Sequence, residues 1–152
     1  MIYISHRGNT NGRIEEAENK PTYIDDAIHL GYHVEIDVWF VDGNWWLGYD
    51  KPKYQISTEW LEERQDNLWI HCKNVDAMVE LESGNKHYDG FNFFWHETDT
   101  LTLTSLSFIW AYPGKQPIKG SIAVMPEIYN EDVSQCYGIC SDVIEKYKNN
   151  DF

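Results

Sequence analysis

The sequence predicts an α/β fold, a reduced or incomplete (β/α) barrel of the TIM type with shortened connections. Short β-prone runs alternate with helical stretches, the pattern of βαβ units on a parallel sheet. The chain has 152 residues, well short of the roughly 250 of a full barrel. From Leu106 onward the strand candidates follow one another with little room for whole helices. One domain over residues 1–152 accounts for the length, with no internal repeat, low-complexity tract or linker.

Taken in order, Met1–Ser5 reads as a strand that stops at His6-Arg7-Gly8-Asn9. Pro21 opens a helix over Thr22–Leu30, with Tyr23, Ala27 and Leu30 at helical spacing and Gly31 as its stop. His33–Phe40 is the second strand; Asp42-Gly43 turns it into a short return strand, Asn44–Leu47. Ser57 caps a helix carrying Trp60 and Leu61. Leu68–Lys73 is a strand, Val75–Leu81 a helix ending at Gly84. Strands follow at Gly90–His96, Leu106–Tyr112, Ser121–Met125 and Tyr137–Ser141, then a short helix at Val143–Lys148.

The formal net charge of −13 argues against nucleic acid, whose phosphates need a basic footprint, and against anionic membrane surfaces. No apolar run approaches a membrane span. Cys72, Cys136 and Cys140 form no disulfide framework and lack metal-pair spacing, so buried thiols in a reducing compartment are expected. With no basic, apolar leader at the start, the expected location is cytoplasmic. Trp45 and Trp46 alternate on their strand, one in and one out. A small sheet short of covering helices makes a homo-oligomer a further expectation.

Side chains on a strand alternate between its faces. Glu35, Asp37 and Trp39 therefore share one face of the second strand, and Trp69, His71 and Lys73 one face of the third. Asn92, Phe94 and His96 share a face of the fourth, and the first runs Ile2, Ile4, His6. A chargeable group thus recurs at or near the C-terminal end of four strands, where barrel enzymes build their active sites. Two acids facing the same way repel, and one protonates unless a cation stands between them. That cation is either a hard divalent ion such as Mg²⁺ or Ca²⁺, or Lys73 or Arg7 in a structural ion-pair cluster.

These residues also carry a family resemblance. Ser5-His6-Arg7-Gly8, Glu18-Asn19, Ala27 with Gly31, Glu35-Ile-Asp37, Asp42-Gly43 and Gly48-Tyr49-Asp50 stand in the order and spacing of the glycerophosphodiester phosphodiesterases, which this first third of the chain resembles. Ile70-His71-Cys72-Lys73 is similar to the family's strand with a Glu-x-Lys, and Gly138-Ile-Cys-Ser-Asp142 to its last strand. The resemblance implies a divalent cation on Glu35 and Asp37 and a small phosphodiester as substrate. It also implies His6 as acid or base, with Arg7 and Lys73 on the phosphate.

The chain departs from that pattern twice. Tyr49 stands where the family has its second histidine, and a phenol, ordinarily ionising near about pH 10, relays protons poorly at neutrality. His71 stands at the position of a metal-binding glutamate. As a ligand it shifts preference toward Mn²⁺ or Zn²⁺; otherwise it serves as the missing acid, or is a satisfied core histidine. His96, followed by Glu97 and Asp99, is either a partial replacement for the lost histidine or a polar loop residue. Phe108, Trp110 and Tyr112 either shape a substrate floor or fill the core.

Overall fold

The computed structural model describes residues 1–151. Its strands are β1 (Ile2–His6), β2 (His33–Val41), β3 (Asn44–Leu47), β4 (Tyr54–Ile56), β5 (Leu68–Cys72), β6 (Phe93–Trp95), β7 (Leu101–Leu103), β8 (Ile109–Ala111), β9 (Ile122–Val124) and β10 (Gly138–Ser141). Four helices accompany them: α1 (Pro21–His29), α2 (Thr58–Glu63), α3 (Val75–Glu82) and α4 (Ile144–Asn149). Seven strands lie parallel in the spatial order β6-β5-β2-β1-β10-β9-β8. Two hairpins add antiparallel pairs, β2-β3-β4 on one side and β7-β8 on the other.

The expected TIM-type barrel is thereby corrected. The ten strands form one mixed sheet, and among the described residues the α-helices are four and short, the longest of 9 residues. The cause lies in the connections. A parallel crossover needs a dozen or more residues to fit a helix. Between β8 and β9 the chain instead carries Pro113, Gly114, Pro117 and Gly120, which no helix interior tolerates well. Between β9 and β10 it makes only a single 3₁₀ turn, Pro126–Ile128. The expected strand over Leu106–Tyr112 is shorter and is preceded by β7, whose three residues gave too little alternation to stand out.

The helices that do form are locally well specified. Pro21 takes the first helical position of α1, whose Ile24 and Ala27 are buried, and Gly31 follows in the left-handed region at φ 84°. The Ser57 hydroxyl accepts the Trp60 N–H at the start of α2, and Asn74 Oδ1 accepts the Ala77 N–H at the start of α3. Asn74 also clasps β2, accepting from the Phe40 N–H and donating to its carbonyl, which fixes the chain just after Lys73.

The sheet has two faces with different duties. Val34, Ile36, Val38, Ile70 and Cys72 look toward α1, α2 and α3 and pack on Ile24, Leu61 and Ala77. The opposite face packs Ile4, Trp69, Phe94, Trp110, Ile122, Val124 and Cys140 on one another. The β7–β8 hairpin leans on β6, with the Ser105 N–H donating to the Phe93 carbonyl and the Thr102 hydroxyl to that of Trp95. No helix among the described residues is long and apolar enough to cross a membrane.

Ile36, fully buried at the centre of the helix-covered face, is a test of this arrangement. Truncation by Ile36→Ala is expected to lower the unfolding free energy by about 3 kcal/mol, read from urea denaturation.

Candidate functional site

Parallel register brings the polar residues together. His6 lies opposite Glu35, and Asp37 opposite His71. Paired residues share a face, so the imidazoles and carboxylates of β1, β2 and β5 converge above the second apolar cluster, at the C-terminal ends of the strands. Beyond His6 the Arg7 N–H still donates to the Glu35 carbonyl, and the Asn19 N–H donates to the carbonyl of Arg7. Both Arg7 (φ 56°) and Asn19 (φ 61°) adopt the left-handed region, which for arginine costs on the order of 1 kcal/mol. Gly8, at φ 95°, passes so close to Tyr23 that a Cβ would stand 2.5 Å from the ring. A glycine is required there.

Asp37 is the most tightly held group. Its Oδ2 accepts from Asn19 Nδ2 at 2.9 Å and lies 2.8 Å from Arg7 Nε, while its own N–H donates to Asn19 Oδ1. Burial alone would raise its pKa, but His71, Arg7 and Asn19 together bring it down to about 2. Arg7 in turn lies 3.4 Å from Glu18 Oε2, and burial, which opposes its charge, is outweighed by Asp37, Glu35 and Glu18.

Glu35 is held differently. Its Oε2 is buried and accepts no hydrogen bond; the nearest cationic group is His6 Nε2 at 3.7 Å. Burial, then the charge of Asp37, pushes its pKa up, partly offset by His6, Arg7 and His71. His71 Nε2 lies 3.1 Å from the His96 carbonyl, to which it donates. That bond turns Nδ1 toward the acids, 3.1 Å from Asp37 Oδ1 and 3.8 Å from Glu35 Oε1. Although Nδ1 and Oδ1 are close, Asp37 Oδ1 makes no hydrogen bond. Two donor atoms that approach without aiming at each other are spaced like neighbouring ligands of one ion: two bonds of about 2.1 Å at a right angle span about 3 Å.

Glu35, Asp37 and His71 therefore fit a divalent cation, their ligand atoms all within 4.8 Å of one another. The carbonyl-anchored imidazole is the usual outer support of a metal-bound histidine. One imidazole with two carboxylates favours Mn²⁺ or Zn²⁺ over Mg²⁺ or Ca²⁺. A second group, His6, Glu18 and Asp142, is equally close but already satisfied internally. Asn9 Nδ2 bridges Glu18 and Asp142, Arg13 pairs with Glu18, and Asp142 accepts from His6.

His6 Nδ1 donates to Asp142 Oδ1 at 2.8 Å, leaving Nε2 toward Glu35 and the cavity. Burial lowers the His6 pKa, yet the Asp142 hydrogen bond and the charge of Glu35 outweigh it, and the net shift is upward. Asp142 is shifted downward: burial opposes this, and His6 and Asn9 bring it about.

A cavity of about 490 Å³ opens here. Seven of the residues singled out in the sequence line it: His6, Arg7, Glu35, Tyr49, His71, Lys73 and His96. Asp37 lies beneath, fully buried. His96 stacks on Tyr112 at 3.5 Å between ring centroids, and burial, then His71, lowers its pKa. Trp110 and Tyr112 line the wall, while Phe108 packs on Trp69 and Tyr137 instead. Sequence reasoning gave no role to Asn9, Glu18, Asn19 or Asp142. Their only signal was membership of the short motifs His6-Arg7-Gly8-Asn9, Glu18-Asn19 and Gly138-Ile-Cys-Ser-Asp142, which carry no chemistry until folding sets them beside Arg7, Asp37 and His6. No family model, curated protein or solved structure matches the chain.

A carboxyl whose folded pKa is depressed contributes stability above its ordinary value and loses it as pH falls through the folded value. For Asp37 that window runs from about pH 4 down to about pH 2. The urea midpoint of the wild type is expected to fall more steeply across this window than that of Asp37→Asn.

Proposed function

We propose that this protein is a metal-dependent phosphodiesterase acting on a small phosphodiester of the glycerophosphodiester kind, releasing an alcohol and a phosphomonoester. The observation that carries the reading is the buried Glu35 Oε2 without a hydrogen-bond partner, in a carboxyl whose Oε1 lies 3.8 Å from His71 Nδ1, beside the Asp142-backed His6. Asp142 holds the proton on His6 Nδ1 and orients the ring, so Nε2 takes the proton of a substrate hydroxyl attacking phosphorus and returns it to the alcohol oxygen that leaves, and water then opens the cyclic phosphate to the monoester. Arg7 and Lys73, both on the cavity wall, face the phosphate oxygens. Glu35, Asp37 and His71 would hold a divalent cation, which would supply further charge neutralisation to the phosphate. The three buried, free cysteines suit a reducing compartment, and the cytoplasm is the location this reading assigns.

A second reading is favoured by one observation: a tyrosine, its ring facing Arg7 and Lys73, occupies the position where the resembled family has a histidine. In that reading the site binds a phosphodiester or phosphate without turning it over.

Glycerophosphocholine hydrolysis, assayed with Mg²⁺, Ca²⁺, Mn²⁺ or Zn²⁺, separates the two. Turnover is expected with at least one ion, and His6→Ala is expected to lower kcat by about 10²–10⁴-fold. Independently of turnover, Mn²⁺ or Zn²⁺ is expected to raise the melting temperature of the wild type but not of Glu35→Gln. Metal-dependent stabilisation without hydrolysis would leave the binding module; no response to metal or inorganic phosphate would sink both.

A further inference from the structure

Tyr49 replaces a histidine of the resembled family, yet its hydroxyl makes no hydrogen bond among the described residues, so nothing there places it on a proton path. Its ring, by contrast, is occupied. The Arg7 guanidinium carbon lies 3.8 Å from the ring centroid and Lys73 Nζ 4.5 Å from it. Two like charges would move apart in water; the π-electron density of one aromatic ring draws both. Lys73 pairs with no carboxylate among the described residues, so this contact is what holds its ammonium at the cavity wall. Arg7 is anchored from behind by Asp37 and Glu18.

The ring is itself firmly placed. The Gly48 N–H donates to the Asp37 carbonyl at 3.1 Å, and Trp39 Nε1 donates to the Gly48 carbonyl at 2.6 Å. A Cβ on Gly48 would collide with the carbonyl oxygen of Lys51, so only glycine makes this turn. Tyr49 is thus tied to the strand that carries Glu35 and Asp37.

We propose that Tyr49 is a positioning residue whose ring gathers Arg7 and Lys73 into one anion-receiving pair for a phosphate group. This rests on the phosphodiester reading of the site. Its consequence is that the aromatic face matters and the hydroxyl does not.

Inorganic phosphate is the probe, titrated calorimetrically into wild type, Tyr49→Phe, Tyr49→Leu and Tyr49→Ala. Leucine and alanine are expected to weaken phosphate binding about tenfold, the scale of two partly exposed cation–π contacts. Phenylalanine is expected to rescue binding to within about threefold of wild type on the same scale. With glycerophosphocholine, the leucine and alanine variants should raise KM far more than they lower kcat. Tyr49 is 47% exposed, so these variants are expected to fold, which thermal melting checks. Leucine or alanine variants that bind phosphate as the wild type does would overturn the inference. So would a phenylalanine variant that loses as much kcat as alanine, which would make the hydroxyl a proton carrier. A wild type blind to phosphate would overturn the phosphodiester reading itself, and this inference with it.

Discussion

The Asp37 carboxylate has no contact with solvent, and the upper part of the molecule is organised around the need to keep it charged. Removing an ionised carboxylate from water costs several kcal/mol unless charge and hydrogen bonds replace the lost hydration. Asn19 supplies a reciprocal pair of hydrogen bonds, and Arg7 supplies the charge. To do so, the chain leaving β1 must turn back through left-handed Arg7 and Gly8 and run on to a left-handed Asn19. The whole segment between β1 and α1 is shaped by one buried ion.

Glu35 is the counterpart left unfinished. Its Oε2 has no hydrogen-bond partner, and burial, then the charge of Asp37, raises its pKa. A purely structural ion-pair cluster would satisfy both acids, because a half-satisfied buried network costs more than an apolar core. Asp37 Oδ1 is likewise buried without a hydrogen-bond partner, although His71 Nδ1 lies 3.1 Å from it.

The sheet delivers this chemistry without the helices that usually accompany parallel strands. Helices α1, α2 and α3 cover the face behind Val34, Ile36 and Val38, and α4 packs on Ile139 of β10; β8, β9 and β10 are joined by turns. The site needs little more, because the register of β1, β2 and β5 alone sets His6, Glu35, Asp37 and His71 on one face. The absent helices leave the β7–β8 hairpin with exposed Leu101, Leu103, Leu106 and Ile109.

Local periodicity determined a good deal by itself. Alternation along a strand is a property of a few consecutive residues, so the sequence already put Glu35 with Asp37, and Trp69 with His71 and Lys73. Pro21, Ser57 and Gly31 likewise marked helix ends through backbone chemistry that needs no distant partner. What only the tertiary structure decided are the relations between remote residues: a mixed sheet in place of a helix-rich alternation, Asp142 behind His6 across 136 positions, Asn19 against Asp37, and both cations against Tyr49. None of these has a sequence period. Each depends on strand order and on which loop returns to which strand end, and those follow from packing the whole chain at once.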